Sequence, residues 1–471
     1  MSGSYAGRRV VILGLARQGV ALARHLAQHG ADVVVSDLLP AGQLGEALDQ
    51  LAGLSLEVVL GGHPSSLLDG ADLFCLSGGV PADAPIVRQA TARGIPLSND
   101  SQIFLEECPA TVIGITGSAG KTTTTAMLGE MCRQGHSTDE RRIWVGGNIG
   151  RSMLPDLDEI GAGDLVVMEL SSFQLEIMTK STPVAAVLNL TPNHLDRHRT
   201  MKAYSAAKAR LLQHQPADGI ALLGQDDPGA CGLQHLVRGR LRMFSLEDSV
   251  ADGAFLRDNV ITLRGPEGEQ PVCRRDELRL LGQHNTLNAL AAAALADSVG
   301  IPAAAIAEVA RTFAGVEHRL ELVRELAGVR WFDDSSATAP ERMMRAIRSF
   351  DEPIVLLAGG RDKDLPWSEA AALIGERVRD LVLFGQAADL IRAQLDKAGV
   401  VMPDAQAGEP KRDHRRGRIV QVGGLAQAVK VAARLARPGD IVLLSPGGTS
   451  FDAYQDFVER GDHFQAMVRE L

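Results

Sequence analysis

Residues 114–125 read Gly114-Ile115-Thr116-Gly117-Ser118-Ala119-Gly120-Lys121-Thr122-Thr123-Thr124-Thr125. The apolar run Thr111 to Ile115 predicts a short buried strand, and Gly117 to Gly120 a glycine-rich turn. Lys121 and Thr122 then open a helix through Met127, Leu128 and Met131. A strand, a tight turn and a helix N-terminus aim several backbone N–H groups at one point, which suits a polyphosphate. Lys121 adds a full positive charge, and the Thr122 hydroxyl can bind Mg²⁺. ATP or GTP is the expected ligand. The spacing departs from the usual phosphate loop, because Ile115 stands where its first glycine belongs. The plainer alternative is a strand-to-helix turn with an incidental lysine.

Working outward, the 471 residues suggest two to four domains, with three expected. Hydrophobic content of 45% with only 4% aromatics implies cores of Leu, Val, Ile and Ala. A net charge of −10 argues against nucleic acid as a partner, though not against an anionic substrate in a locally positive site. The basic cluster Lys411 to Arg418 is expected to be a solvated loop. The five cysteines lack CxxC spacing, which points to a reducing compartment without disulfides or zinc. No signal peptide is evident, and the alanine-rich stretch Leu287 to Ala296 is too short to span a bilayer. A cytoplasmic protein without membrane insertion is expected.

The first hundred residues alternate strands and helices. Arg9 to Leu13 is a strand, Gly14 to Gly19 a turn, and Gly19, Leu22, Ala23 and Leu26 line one helix face. The strand Asp32 to Ser36 ends in Asp37, an acidic residue about twenty positions past the glycines. The turn is GxxxxG rather than GxGxxG, so NAD is disfavoured and a nucleotide sugar or a purely structural use of the turn fits better. Strand Asp72 to Leu76 leads to Ser77-Gly78-Gly79, helix Ala84 to Arg93 follows, and Ile95 to Leu97 is a further strand. Strands are predicted at Leu165–Met168, Ala185–Leu190 and Ile220–Leu223, with a helix at Thr286–Val299. The last part carries strands at Arg330–Phe332, Ile354–Ala358, Asp380–Phe384 and Ile441–Ser445. Boundaries are placed at residues 1–108, 109–315 and 316–471. The fold class is three α/β domains with largely parallel sheets: a Rossmann-like first domain, a central phosphate-loop ATPase-like domain and a Rossmann-like C-terminal domain.

Glu169 ends the strand that begins at Leu165, where strand termini face the ligand crevice, so its carboxylate is suited to Mg²⁺. The polar run Asn189 to Arg197 follows another strand and includes His194. Lys208 falls on a helix and by itself reads as an ordinary lysine.

Taken together, these segments resemble the Mur ligase family, the ATP-dependent amide ligases that build the peptide of the cell-wall precursor. TGSAGKTTT, GGNIG (146–150), MELSSFQLE (168–176), NLTPNHLDRH (189–198), YSAAKARL (204–211), GQHNTLNALAA (282–292) and GVEHRLE (315–321) occur in the family's order. Within the family, the Rossmann-like first domain, the SSFQL run and LLSPGGTSFDAYQDFVERGDHF (443–464) are most similar to the glutamate-adding members. The resemblance implies a monomer that joins glutamate to UDP-N-acetylmuramoyl-L-alanine through an acyl phosphate.

It also implies roles. Gly117, Ser118, Ala119, Gly120, Lys121, Thr122 and Thr123 would hold the ATP phosphates, Asn288 the adenine, and Arg319 and Asp334 would reach ATP from the third domain. Two Mg²⁺ ions would be held by Thr122, Glu169, His194 and Lys208, the last carbamylated by CO₂. Gly14, Arg17, Gln18, Asp37, Ser77, Gly78, Asn148 and Ser171 would bind the UDP-muramoyl substrate. Thr338, Lys363, Ser450 and Phe457 would take glutamate.

The chain departs from the family pattern at Ala119, where Asn is usual, at Ser336, where Lys is common, and at Ala339-Pro340, where Asn is common. The run Gly359 to Trp367 also differs. These changes leave D- and L-glutamate both open. The rivals are another Mur ligase or a folylpolyglutamate synthase, the latter lacking the Rossmann-like first domain, a regulatory nucleotide-binding protein, and an NAD-dependent oxidoreductase.

Overall fold

The computed structural model describes residues 5–136, 141–148, 152–280, 282–363, 365–402 and 417–471. The end of the GGNIG segment, Asp364 and most of the basic cluster lie outside them. Arg418, the cluster's last residue, opens a strand and sets its guanidinium against Asp380, 3.2 Å away, so it is not part of a free loop. The chain forms two compact units, Met1–Phe313 and Ala314–Leu471.

The first unit holds two sheets. One is all parallel, in the order Leu56–Leu60, Asp32–Asp37, Arg9–Leu13, Leu73–Leu76, Leu97–Ser98. Its last strand lies one to two residues later than Ile95 to Leu97, and the strand Leu56–Leu60, an unforeseen edge strand, has none of its residues buried although four of the five are apolar.

The larger sheet has nine strands, with Thr111–Thr116 between Leu165–Glu169 and Val184–Val187. All five residues of Leu165–Glu169 are buried, as expected of a parallel strand covered on both faces. The far edge is different. Gly253–Arg257, Val260–Gly265 and Gly268–Arg274 form an antiparallel meander that the sequence reading did not contain. Its first turn, Asp258-Asn259, has positive φ at both residues, the backbone of a tight hairpin.

The phosphate-loop helix Lys121–Gly135 shares a core with Gln283–Ser298, which is buried nearly all round from Asn288 to Ala296. Small alanine side chains let the two helices approach, and this fixes Asn288 behind the glycine loop. Arg242 ties that helix to the meander. It is fully buried and donates to Asp252 (2.8 Å), the Ala294 carbonyl (2.8 Å) and Ser298 (2.8 Å), with Asp297 2.6 Å away.

The second unit has one six-stranded sheet, in the order Glu321–Leu326, Val329–Asp333, Ile441–Gly447, Ile354–Gly359, Val378–Phe384, Arg418–Val422. It is parallel except for the first pair, a hairpin turned by Ala327-Gly328.

Without Arg242 the Ala294 carbonyl and Ser298 lose a buried donor and Asp297 loses its bonded cation, while Asp252 keeps Arg240. Arg242→Ala is expected to destabilise the first unit by about 3 kcal/mol, read as a lower urea midpoint at unchanged slope.

Candidate active site

In the first sheet the strand order reverses between Arg9–Leu13 and Leu73–Leu76, so the segments after Leu13 and Leu76 diverge and leave a crevice. Gly14 has φ +86°, and a side chain there would crowd Ser77 and Val80. Asp37 accepts the Leu15 N–H at 2.7 Å and the Leu39 N–H at 2.9 Å, which folds both turns around its carboxylate. Gln18 accepts the Gly78 N–H at 2.7 Å. A mostly apolar cavity of about 490 Å³ is lined by Gly14, Asp37, Leu38, His63 and Ile86, among others. A second, of about 200 Å³, is lined by Arg17, Gln18, Ser77, Gly78, Asn148, Ser171 and Phe173. Ala16, Ser77 and Gly79 line both, so the two adjoin. His63, bonded to Ser36 at 2.8 Å, and Phe173 were not foreseen, since neither carries a spacing signal in the sequence.

In the second sheet the loop after Thr116 is set by neighbours more than by its own residues. Gly120 sits at φ +82°, where a Cβ would collide with Asn288 Oδ1. Asn189 closes a two-way clamp on Ala119: its Oδ1 accepts the Ala119 N–H at 2.8 Å, and its Nδ2 donates to the Ala119 carbonyl at 3.1 Å. Ser118 donates to the Thr191 carbonyl at 2.9 Å and accepts from the buried Tyr204 hydroxyl at 2.9 Å. Lys121 folds over the loop and donates to the Gly117 carbonyl at 2.9 Å. A cavity of about 190 Å³ beside the loop is lined by Asn189, Asp226, Asp227, Phe244, Leu287 and Asn288.

Glu169 links the two regions. It is 3% exposed, accepts from the Thr122 hydroxyl at 2.8 Å, and accepts from Asn148 Nδ2 at 2.7 Å. Thr122 belongs to the phosphate loop, and Asn148 lines the 200 Å³ cavity. Lys208 is 1% exposed and donates to Thr116 Oγ1 at 3.1 Å, with its ammonium 4.9 Å from the Tyr204 ring centre. Burial, reinforced by the Lys121 charge and opposed by Glu169, holds it well below the usual lysine range. His194 has φ +53° and sets its ring edge-on to Phe173, 5.0 Å between centres. Hard oxygen donors grouped around a buried carboxylate fit a divalent cation.

In the second unit, Asp334 accepts from Ser445 Oγ at 2.7 Å and from the Leu320 N–H at 3.3 Å. Burial outweighs those bonds and the Arg319 charge, and pushes its carboxyl up to about 7. Lys363 donates to Thr338 Oγ1 at 3.2 Å, and Arg361 pairs with Thr449, next to Ser450. The Phe457 carbonyl accepts from Ser335 Oγ at 2.8 Å. The fully buried Arg460, missed in the sequence, donates to Ser335 (3.0 and 2.8 Å) and to the Gly448 carbonyl (3.2 Å). Burial lowers it to about 10. His318, Glu321 and Asp333 are the one trio of metal-ligating type clustered this closely among the described residues. Their facing atoms are already engaged: Asp333 bonds His318 at 2.8 Å, Glu321 takes the His318 N–H at 2.9 Å, and Gln465 donates to both carboxylates. The trio therefore reads as a structural lock.

Three family profiles match in sequence order: "Mur ligase MurD-like, N-terminal domain" over residues 8–99, "Mur ligase middle domain" over 115–296, and "Mur ligase, glutamate ligase domain" over 318–448. The chain belongs to the Mur ligase family. A Mur ligase relative from Symbiobacterium thermophilum, named UDP-N-acetylmuramoylalanine--D-glutamate ligase, is 39% identical and covers 100% of both chains. One of the same name from Pelotomaculum thermopropionicum is 38% identical over 99% of this chain and 98% of its own. Among solved structures, UDP-N-acetylmuramate-alanine ligase from Thermotoga maritima matches with TM-score 0.52 and 19% identity over 98% of this chain and 99% of its own, a likeness of fold. The three-part α/β architecture expected from the sequence is thus that of the Mur ligases.

Because the native Asp334 holds its proton to about pH 7 and an unfolded Asp loses it near 4, the native state binds the extra proton. The group's effect on stability is therefore neutral below about pH 4 and increasingly unfavourable as pH rises towards 7. Asp334→Asn is expected to remove this loss, on the order of 4 kcal/mol at most. Denaturation of wild type and variant at pH 5 and pH 8 measures it, and an equal difference at both would count against the assignment.

Proposed function

We propose that this protein is an ATP-dependent ligase that forms the amide bond between the L-alanine carboxyl of UDP-N-acetylmuramoyl-L-alanine and the amine of D-glutamate. The observation that carries the proposal is Glu169, bonded at once to Thr122 of the phosphate loop and to Asn148 of the neighbouring cavity. That contact brings a phosphoryl donor site and an acceptor cavity to one buried carboxylate. The full-length relatives named for D-glutamate addition favour that enantiomer. A monomer acting in the cytoplasm is part of the reading.

An amine does not displace oxide from a carboxylate, so the carboxyl is first activated. The γ-phosphorus of ATP bonds to an alanine carboxylate oxygen as its bond to the ADP oxygen breaks. The glutamate nitrogen then bonds to the acyl carbon, the tetrahedral intermediate collapses, and inorganic phosphate leaves as the amine loses its proton. Loop N–H groups from Gly117 to Thr123 and the Lys121 ammonium cradle the phosphates. The cavity beside Asn288 suits the adenine. Gly14 and Asp37 border the larger cavity, which suits the UDP end. Arg17, Gln18, Ser77, Gly78, Asn148 and Ser171 border the smaller one, which suits the muramoyl-alanine end. Thr338, Lys363, Ser450 and Phe457 serve the glutamate.

Thr122, Glu169, His194 and a carbamylated Lys208 would hold two Mg²⁺ ions, which when bound neutralise phosphate charge. The depressed Lys208 favours the carbamate, because only a neutral amine adds to CO₂. The ammonium first gives up one proton to become the neutral amine, its nitrogen then bonds to the CO₂ carbon, and a second proton leaves to solvent, so that a cation becomes an anion.

Phosphate release and product formation, assayed with ATP, the muramoyl nucleotide and each glutamate enantiomer in turn, are expected with D-glutamate and not with L-glutamate. Turnover of ATP that ignores both acceptor and amino acid would mark a regulatory nucleotide-binding protein instead. Lys208→Ala is expected to be inactive and partly restored by formate or acetate; a fully active variant rules out the carbamate role.

A further inference from the structure

The segment from His194 to Arg199, which contains the one-turn helix Leu195–His198, is held from several sides within the first unit. Arg197 lays its guanidinium 4.7 Å over the Phe173 ring and donates to the Gly79 carbonyl at 3.3 Å. His198, buried, stacks nearly parallel on Phe173 at 5.2 Å and bonds Ser172 at 2.9 Å. His194 meets the edge of the same ring. Arg199 pairs with Asp83 at 2.7 Å. Both end residues have left-handed backbones, φ +53° at His194 and +63° at Arg199. Such residues persist only where their surroundings over-determine them.

Phe173, on the short helix after strand Leu165–Glu169, and Gly79, in the loop after strand Leu73–Leu76, follow strands of the unit's two different sheets, and both line the 200 Å³ cavity. A ligand there would meet the two groups that Arg197 joins, and His194 belongs to the same segment. Neither arginine lines that cavity, so each acts through its neighbours.

We propose that residues 194–199 are a strap that couples the cavity to His194, with Arg197 as its positioning residue. A sugar nucleotide bound in the cavity would favour the His194 arrangement that serves Mg²⁺ and ATP, and by linkage ATP would tighten the nucleotide equally. This rests on the ligase reading above.

The test is titration calorimetry of UDP-N-acetylmuramoyl-L-alanine with and without Mg²⁺ and a non-hydrolysable ATP analogue. In the wild type the analogue is expected to tighten the nucleotide by about fivefold or more. In Arg197→Met that factor falls to about one, and KM for the nucleotide rises while kcat and KM for glutamate stay within about twofold. Arg199→Asp is expected to weaken the coupling, and Asp83→Arg added to it to restore it. A wild type without coupling, an Arg197→Met that keeps it, equal losses for all substrates, or a charge swap without rescue each overturn the strap. A wild type that fails to ligate overturns the ligase reading instead, so the two failures are distinct.

Discussion

Glu169 places its carboxyl group at the end of a strand that is buried along its whole length, and its two oxygens are met by two neutral donors, Thr122 and Asn148. A carboxylate so removed from water is costly unless a cation accompanies it. Neutral hydrogen bonds orient it but do not balance its charge. The surrounding structure follows from that constraint. The phosphate loop starts from the adjacent strand, and Asn148 stands just beyond the strand on the other side. A carboxylate kept in such a place serves a ligand better than it serves folding.

Lys208 shows the same tension with the opposite sign. Its ammonium is sealed in with one hydroxyl and one aromatic face, and a second lysine disfavours its charge. An unmodified cation there would oppose Mg²⁺ beside Glu169. The proposed carbamate relieves both difficulties at once, since it removes a poorly compensated cation and adds an anion where metal ions would gather. Tyr204 connects this to the loop, because its hydroxyl bonds Ser118 while its ring faces the Lys208 ammonium.

Much of this was legible in the sequence where chemistry and local structure coincide. Lys121 and Thr122 follow a strand and glycines, Glu169 ends an apolar run, and Asp37 ends the second strand of a βαβ unit. Each is a local pattern whose physical cause lies within about ten residues. What was not legible depends on partners distant in the chain. Arg460 meets Ser335 across the second unit, Asn189 clamps a loop some seventy positions earlier, and Phe173 matters through the groups that stack on it. The antiparallel meander was missed for another reason. Its strands are short and mix apolar with charged residues, so only the turns at Asp258-Asn259 and Gly265 to Gly268 mark them.

The departures from the family pattern take on a different weight beside these contacts. At Ala119 the backbone N–H and carbonyl are both held by the Asn189 amide, and the side chain is exposed. Loop geometry there is imposed from outside, so the loop does not need an asparagine at that position to keep its shape. Ser336 is similar: its N–H donates to the His318 carbonyl at 3.0 Å and its own carbonyl accepts from Arg342 at 3.2 Å. Both bonds are backbone bonds that many residue types could make. The turn is therefore held by backbone bonds to His318 and Arg342, and a lysine side chain is not needed at 336 for the segment to fold. Lys363, bonded to Thr338 in the same unit, is the cation that the proposed ligase reading assigns to glutamate.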